Sequence, residues 1–301
     1  MNLGIEIGGT KLQIVIGDEG GTIQKRRRFR VERDQGAEGI RRQIEAAIPE
    51  LSGGHKLTAV GVGFGGPVDW QTGRICTSHQ ILGWSGFDLA GWLGRLTGAR
   101  VVVDNDANVG ALAEAVRGAG AGFNPMFYVT LGSGLGGGLV LDGKIYHGAK
   151  PGECEIGHIR LDRSGTTVES RCSGWAVDET IRALKTTEPN SALCGMIGGA
   201  TGGEARHLAA ALQLGDKAAK RILDETAGDL AFGLSHAAHL FHPEAILIGG
   251  GLSAVGEPLR AAVEAALGGF LMDAFKPGPR VLLSRLGEEV VPVGALLLAG
   301  A

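Results

Sequence analysis

A strand, a glycine turn and a second strand, written twice in this chain, constrain its fold more than any other feature. Residues 3–16 read LGIEIGGTKLQIVI, two short β-rich apolar runs joined by a turn that Gly8 and Gly9 can bend. The pattern returns at 127–148 as FYVTLGSGLGGGLVLDGKIYHG, where Gly8 falls on Gly132 and the tip Asp18-Glu19-Gly20 falls near Asp142-Gly143. One such turn is weak evidence. Two in matching hairpins, each early in its half and about 120 residues apart, argue for a duplicated domain. A length of 301 residues also suits two fused α/β domains better than one small core.

The segments around the two hairpins alternate. A third strand is expected at about 22–31, an amphipathic helix near 36–51, a buried strand at 57–64, a helix at 86–97 and a strand at 100–103. Residues 203–241 carry long helical periodicity, 245–251 (AILIGGG) is strand into glycine turn, 257–267 is helix, and the tail from 291 is an apolar helix. This alternation places the chain in the α/β class. Duplicated halves facing one cleft are the actin-like plan, so the expected fold is two actin-like (ribonuclease H-like) domains with a central cleft. The expected boundaries are 1–118, completed by a C-terminal helix at 287–301, and 119–286.

Composition narrows the partners. A formal charge of −3 spread along the chain gives no basic footprint for nucleic acid. The one basic run, KRRRFR at 25–30, alternates along a strand and reads as a solvated, protected edge. No basic-then-apolar leader opens the sequence and no stretch of about 18 apolar residues occurs, so a cytoplasmic protein without a membrane segment is expected. Cys76, Cys154, Cys172 and Cys194 form no CxxC pair and read as reduced, small hydrophobic residues. The 53 glycines, against an average near 7%, mark many turns and close backbone approaches. A small-molecule substrate fits best.

Polyphosphate chains need several backbone N–H donors at close range, which glycine turns present without an intervening Cβ. Gly8-Gly9-Thr10-Lys11 and Gly132-Ser133-Gly134 meet that need, although either alone is equally well an ordinary hairpin turn. Gly249-Gly250-Gly251 follows an apolar strand and would let adenine or ribose lie on bare backbone; an ordinary strand-to-helix turn also accounts for it. In VVVDNDANVGALAEAVRG, helical spacing begins after Val103, so Asp106 sits where strand becomes helix. There the N–H groups of the helix end favour an ionised carboxylate, which can accept a proton from a hydroxyl. On this segment alone, capping by Asp106 or Asn108 is the better reading. Glu153, Glu155 and His158 in GECEIGH suit the paired donor and acceptor demands of a polyol, against a solvated loop and a structural histidine.

Taken together, GIEIGGTK, GVGFGGPVD, DNDAN, LGSGLGGGL, GECEIGH and HPEAILIGGGLS resemble the ROK family of sugar kinases and sugar-responsive repressors, collinearly over nearly the whole chain. The resemblance implies an ATP-dependent, glucokinase-like phosphotransferase with Mg2+, acting on glucose or a close relative. It implies Asp106 as general base and Asn105, Glu155 and His158 as sugar ligands. Gly8 to Lys11 and Gly132 to Gly134 become the two phosphate motifs and Gly249 to Gly251 the adenosine motif. A homodimer is expected by resemblance alone. The family's repressors carry a DNA-binding domain ahead of the first phosphate motif, which here begins within the first ten residues. The kinase branch is therefore expected, with a non-catalytic sugar-binding protein of the same fold as the alternative.

Three departures stand out. Glu6 occupies the position where the family has Asp, so any contact with Mg2+ is made from a side chain one methylene longer. The family's zinc loop, a His followed by CxCGxxGC, is reduced to His158 and Cys172, with Cys154 nearby; a structural zinc takes four ligands, so a zinc-less variant is expected. The family's sugar-binding Glu after the last zinc cysteine is read here as Gly174. The loop from about 159 to 180 is then expected to be held by packing, through Trp175, and by hydrogen bonds of Glu155 and His158.

Overall fold

The computed structural model describes residues 1–78, 81–152, 154–199 and 201–301. The chain divides into two compact units, one of Met1–Ala121, Gly138–Cys154 and Leu286–Ala301, the other of Gly122–Gly137 and Glu155–Arg285.

In the first unit, β1 (Asn2–Ile7) turns at Gly8 into β2 (Lys11–Gly17), followed by β3 (Ile23–Arg30), α1 (Gly36–Ser52) and β4 (Ala59–Phe64). The short strands β5 (Val68–Asp69) and β6 (Arg74–Ile75), then α2 (Leu89–Thr97), β7 (Arg100–Asn105) and α3 (Asp106–Arg117) complete the run. The sheet order is β3-β2-β1-β4-β7. β1 pairs antiparallel with β2 and parallel with β4, and β4 pairs parallel with β7. Every residue of β1 and β4 is buried, which is what a strand covered on both faces requires and why both read as near-continuous apolar runs. β3 is the edge, as its arginines suggested. Arg26 and Arg28 reach Glu289 and Glu288 on one face, while Arg27 pairs with Glu50 of α1 on the other.

The second sheet repeats the order: β8 (Met126–Leu131), β9 (Leu135–Leu141), β10 (Lys144–Ile145), β11 (Ala245–Gly249) and β12 (Arg280–Leu283) are arranged β10-β9-β8-β11-β12. β11 pairs parallel with both β8 and β12. Helices α4 (Val168–Cys172), α5 (Gly174–Thr187), α6 (Ala192–Met196), α7 (Leu208–Gln213), α8 (Lys217–Phe241) and α9 (Glu257–Phe270) belong to the second unit. The continuous periodicity of 203–241 is broken at Gly215, which has φ +73°, and Asp216, whose carboxylate caps α8 by accepting from Ala219 N. Among the described residues no helix is long and apolar enough to cross a membrane.

The chain ends in α10 (Val290–Gly300), packed against α3, β1 and β4 of the first unit. Its sequence is apolar around most of its circumference because both sides of it are covered. The approach is close enough to need bare backbone: a Cβ at Gly61 of β4 would run into the Ala295 carbonyl oxygen, and one at Gly294 into the Val109 carbonyl oxygen. We therefore expect Gly61→Ala to lower stability by about 1–3 kcal/mol or more, the usual cost of overpacking a rigid core. A shift of the urea midpoint at unchanged slope is the measurement, and a midpoint equal to wild type would contradict the packing.

Candidate active site

Two polar constructions lie in the first unit. The β1–β2 turn is closed by Gly8 N donating to Lys11 O (3.0 Å), and Val31 N donates to Thr10 O (3.0 Å). Gly9 accepts from Arg33 Nε through its carbonyl (3.2 Å), so the turn is braced from outside and Thr10 stays exposed. Beneath it, buried Glu6 pairs with Lys11 Nζ through Oε1 (3.0 Å) and accepts from Gln13 Nε2 through Oε2 (2.6 Å). Burial raises the Glu6 pKa, opposed by the Lys11 charge.

The second construction is the turn from β7 into α3. β7 runs two residues beyond the expected Val103, so Asp104 and Asn105 still belong to the strand. The cap of α3 is neither Asp106 nor Asn108 but Asn105, whose Oδ1 accepts from Ala107 N (2.8 Å) and Asn108 N (3.3 Å). Asn105 Nδ2 donates to Gly66 O (3.2 Å) and has a second N–H besides. Asp106, relieved of capping, turns its carboxylate toward Gly65. A Cβ built on Gly65 would stand 3.4 Å from Asp106 Oδ2 and 3.6 Å from Gly8 Cα, so base candidate and first glycine turn face one space.

The expectation that the helix end keeps Asp106 ionised is corrected by its surroundings. Burial pushes its pKa up from the ordinary carboxylate range to about 7, the negative charge of Glu6 adds to the rise, and the Ala107 N–H and Lys11 only partly offset them.

In the second unit, Gly132 N donates to Gly134 O (2.9 Å) and Gly132 O accepts from Gly174 N (2.8 Å). Gly174 thus supports the second turn. The carboxylate that reaches this turn is Glu169 of α4, whose Oε2 accepts from Leu135 N (2.8 Å). Sequence reasoning passed over Glu169; the available signal was an acid in the first turn of a short helix opened by Thr167. Ser133 borders a cavity of about 680 Å3 that is also lined by Ser173, Trp175, Asp178, Arg182 and Gly202. Asp178 accepts from Gly203 N (2.8 Å) and Ala205 N (2.7 Å), and Arg182 pairs with Glu204 (3.0 Å), which stiffens one wall. Gly249 ends β11 against Tyr128, Gly250 takes φ +80° against the Leu131 backbone, and Gly251 stands in open space. His158 and Glu155 are exposed and 3.8 Å apart on a 3-10 turn. Glu153 lies outside the described residues.

The residues near His158 do not fit a structural zinc. Cys172 is buried, its Sγ donates to Thr226 O (3.6 Å), and burial pushes the thiol up to about 12, the opposite of what a thiolate ligand needs. Among the described residues no three His, Cys, Asp or Glu side chains are grouped to hold a metal. The loop is closed instead by Leu161 N donating to Thr166 O (2.8 Å) and Val168 N donating to Ile159 O (3.0 Å). Asp162 Oδ1 gathers Ser164 Oγ (2.6 Å), Gly165 N (3.0 Å) and Thr166 N (3.2 Å), and a Thr167–Ser170 capping box starts α4. Trp175, expected to pack this loop, is half exposed at the cavity.

Known proteins resemble this chain over nearly its whole length. The chain is 30% identical to a glucokinase of Thermotoga maritima, over 97% of this chain and 95% of the relative. It is 32% identical to a glucokinase of Streptomyces coelicolor, over 99% and 97%. The crystal structure of a ROK family glucokinase from Streptomyces griseus in complex with glucose and AMPPNP superposes with a TM-score of 0.86 at 33% identity, covering 99% of this chain and 98% of that one. A ROK hexokinase from Thermus thermophilus gives 0.77 at 27%, covering 99% and 97%. With two actin-like domains and the ROK family pattern matched from residue 2 to residue 301, the chain belongs to the ROK family.

Proposed function

We propose that this protein is an ATP-dependent hexose kinase that phosphorylates a hydroxyl of glucose or a close relative, with Asp106 as general base. The observation that carries the reading is the uncapped Asp106 carboxylate facing the space beside Gly65 and the Gly8 turn, in a chain about 30% identical to glucokinases along its whole length. Phosphoryl transfer asks chiefly for positioning and charge stabilisation. Asp106 accepts the proton of the attacking hydroxyl as its oxygen meets the γ-phosphorus, while Asn105, fixed by its capping bonds, offers its remaining N–H to the sugar. Glu155 and His158 supply further acceptors and donors for sugar hydroxyls. The N–H groups of Gly9, Thr10, Ser133 and Gly134 serve the phosphates, with Lys11 adding positive charge. The nucleoside is assigned to the Ser133–Trp175 cavity and the neighbouring Gly249 to Gly251 turn. Mg2+ bound with ATP would offset the phosphate charge and would take phosphate oxygens and water as its main ligands. Both carboxylate oxygens of Glu6 are already engaged by Lys11 and Gln13, so Glu6 does not fit a direct ligand.

ADP release measured over glucose, mannose, fructose, N-acetylglucosamine and N-acetylmannosamine tests the reading. Saturable sugar binding without turnover of any of them would replace it with a non-catalytic sugar-binding protein. Asp106→Asn should keep sugar affinity and lower kcat by about 100- to 10,000-fold, because an amide cannot take the proton.

The raised pKa fixes two pH trends. Because only ionised Asp106 accepts a proton, kcat/KM for the sugar should climb with pH, with a midpoint near 7 in the free enzyme, and level off above it. For stability the sign is opposite. A carboxyl whose folded pKa exceeds its unfolded value favours the folded state at low pH and loses that contribution as pH rises through about 7. The melting temperature of Asp106→Asn should therefore gain on wild type between about pH 4 and pH 8 and hold a constant lead beyond. A lead independent of pH would show that burial does not raise this pKa.

Elemental analysis should find no stoichiometric zinc, and a strong chelator should leave both activity and melting temperature unchanged. One zinc per chain, lost together with activity, would overturn the assignment of the 159–172 loop as metal-free.

A further inference from the structure

Outside the groups used above, the first unit holds a second polar cluster around Asp104. This residue is 3% exposed, and both its carboxylate oxygens are occupied. Oδ1 accepts from Asn105 N (2.8 Å) and from Asn108 Nδ2 (3.0 Å), the two residues that flank Asp106. Oδ2 lies 2.6 Å from His147 Nε2, and since a carboxylate can only accept, Nε2 is the donor. The imidazole is stacked on Trp70, with ring centroids 4.1 Å apart and planes 13° apart, so the direction of that N–H is set by packing. Asn108 Nδ2 also reaches Gly152 O (3.4 Å), and Lys150 pairs with Asp69 (3.0 Å). The segment 147–152 is thus tied on both sides just before the chain enters the Glu155–His158 turn.

We propose that His147 is a positioning residue for phosphoryl transfer: through Asp104 it holds the β7–α3 turn and hence the angle at which Asp106 meets the sugar hydroxyl. A buried carboxylate oxygen deprived of its donor must find another. Two donors already at this carboxylate are the Asn105 N–H and the Asn108 amide bound to Oδ1. Rotation of Asp104 toward them loosens the same turn that aims Asn105 and Asp106. The inference rests on Asp106 being the base.

Two substitutions separate the hydrogen bond from the packing. His147→Phe keeps a ring on Trp70 and loses the donor, whereas His147→Gln keeps a donor near the Nε2 position and loses the stack. If His147 positions the turn, His147→Phe should lower kcat/KM for the sugar by about 10- to 100-fold, mostly in kcat, with KM for ATP nearly unchanged. His147→Gln should stay within about threefold of wild type. The reverse order, an active Phe and an impaired Gln variant, or wild-type kcat in a folded Phe variant, would overturn the proposal. Should His147→Phe not fold, His147→Gln carries the test alone: kcat within about threefold supports the role, and a tenfold loss in a folded protein sinks it. Glucose affinity measured by calorimetry on the same proteins keeps the two readings apart. If wild type binds glucose but phosphorylates no sugar, the kinase reading fails; if wild type turns over sugar and a folded Phe variant keeps both its glucose affinity and its kcat, only the role of His147 fails.

Discussion

The turn from β7 into α3 is the constraint on which the rest of the site depends. A parallel strand ends there in the buried Asp104 and Asn105, the helix opens with Asp106, and each of the three is given a different task. Asp104 knits the turn to Asn108 and His147, Asn105 caps the helix, and Asp106 is left without a capping role. A cap of this type is worth about 1 kcal/mol. Its larger consequence is the division of labour: had Asp106 capped α3, its carboxylate would be committed to backbone N–H groups, with a low pKa and little basicity.

Placing that turn requires the elements around it to sit closer than side chains allow. α10 presses into β4 at Gly61 and into α3 at Gly294, so the last helix of the chain buttresses the helix that carries Asp106. The contact also explains why a helix that is not a membrane span is apolar nearly all round. At the other end of α3, Glu114 is fully buried and accepts from Ala119 N (2.7 Å) and Leu286 N (2.9 Å), which holds the approach to α10. Hydrophobic burial fixes the position of these helices, while a few buried polar bonds fix their ends.

In the second unit a defined loop is held by short-range hydrogen bonds. Hydrogen bonds centred on Asp162, together with the Thr167–Ser170 box, connect the turn bearing His158 to the helix bearing Glu169. Each of these short-range bonds is worth on the order of 1 kcal/mol. Cys172 is used as an apolar side chain against α8.

Much of this was legible in the chain itself. The two hairpins, the α/β alternation, the arginine edge strand and the location of Asp106 at a strand-to-helix junction follow from local periodicity and glycine placement, which act within a few residues. Partner choice was not legible. Which of Asp104, Asn105, Asp106 and Asn108 caps α3, the pairing of Asp104 with a histidine 43 positions away, the break in the helical run at Gly215, and the reach of Glu169 to Leu135 depend on groups distant in sequence or on competition among equals. The same division applies to the chemistry. The sequence by itself determined the fold class and the residue types at the site, since strand, turn and helix are written in short-range patterns. Only the tertiary structure decided the direction in which the Asp106 pKa moves, because it is raised by burial and by the charge of Glu6, and folding alone brings β1 alongside the start of α3.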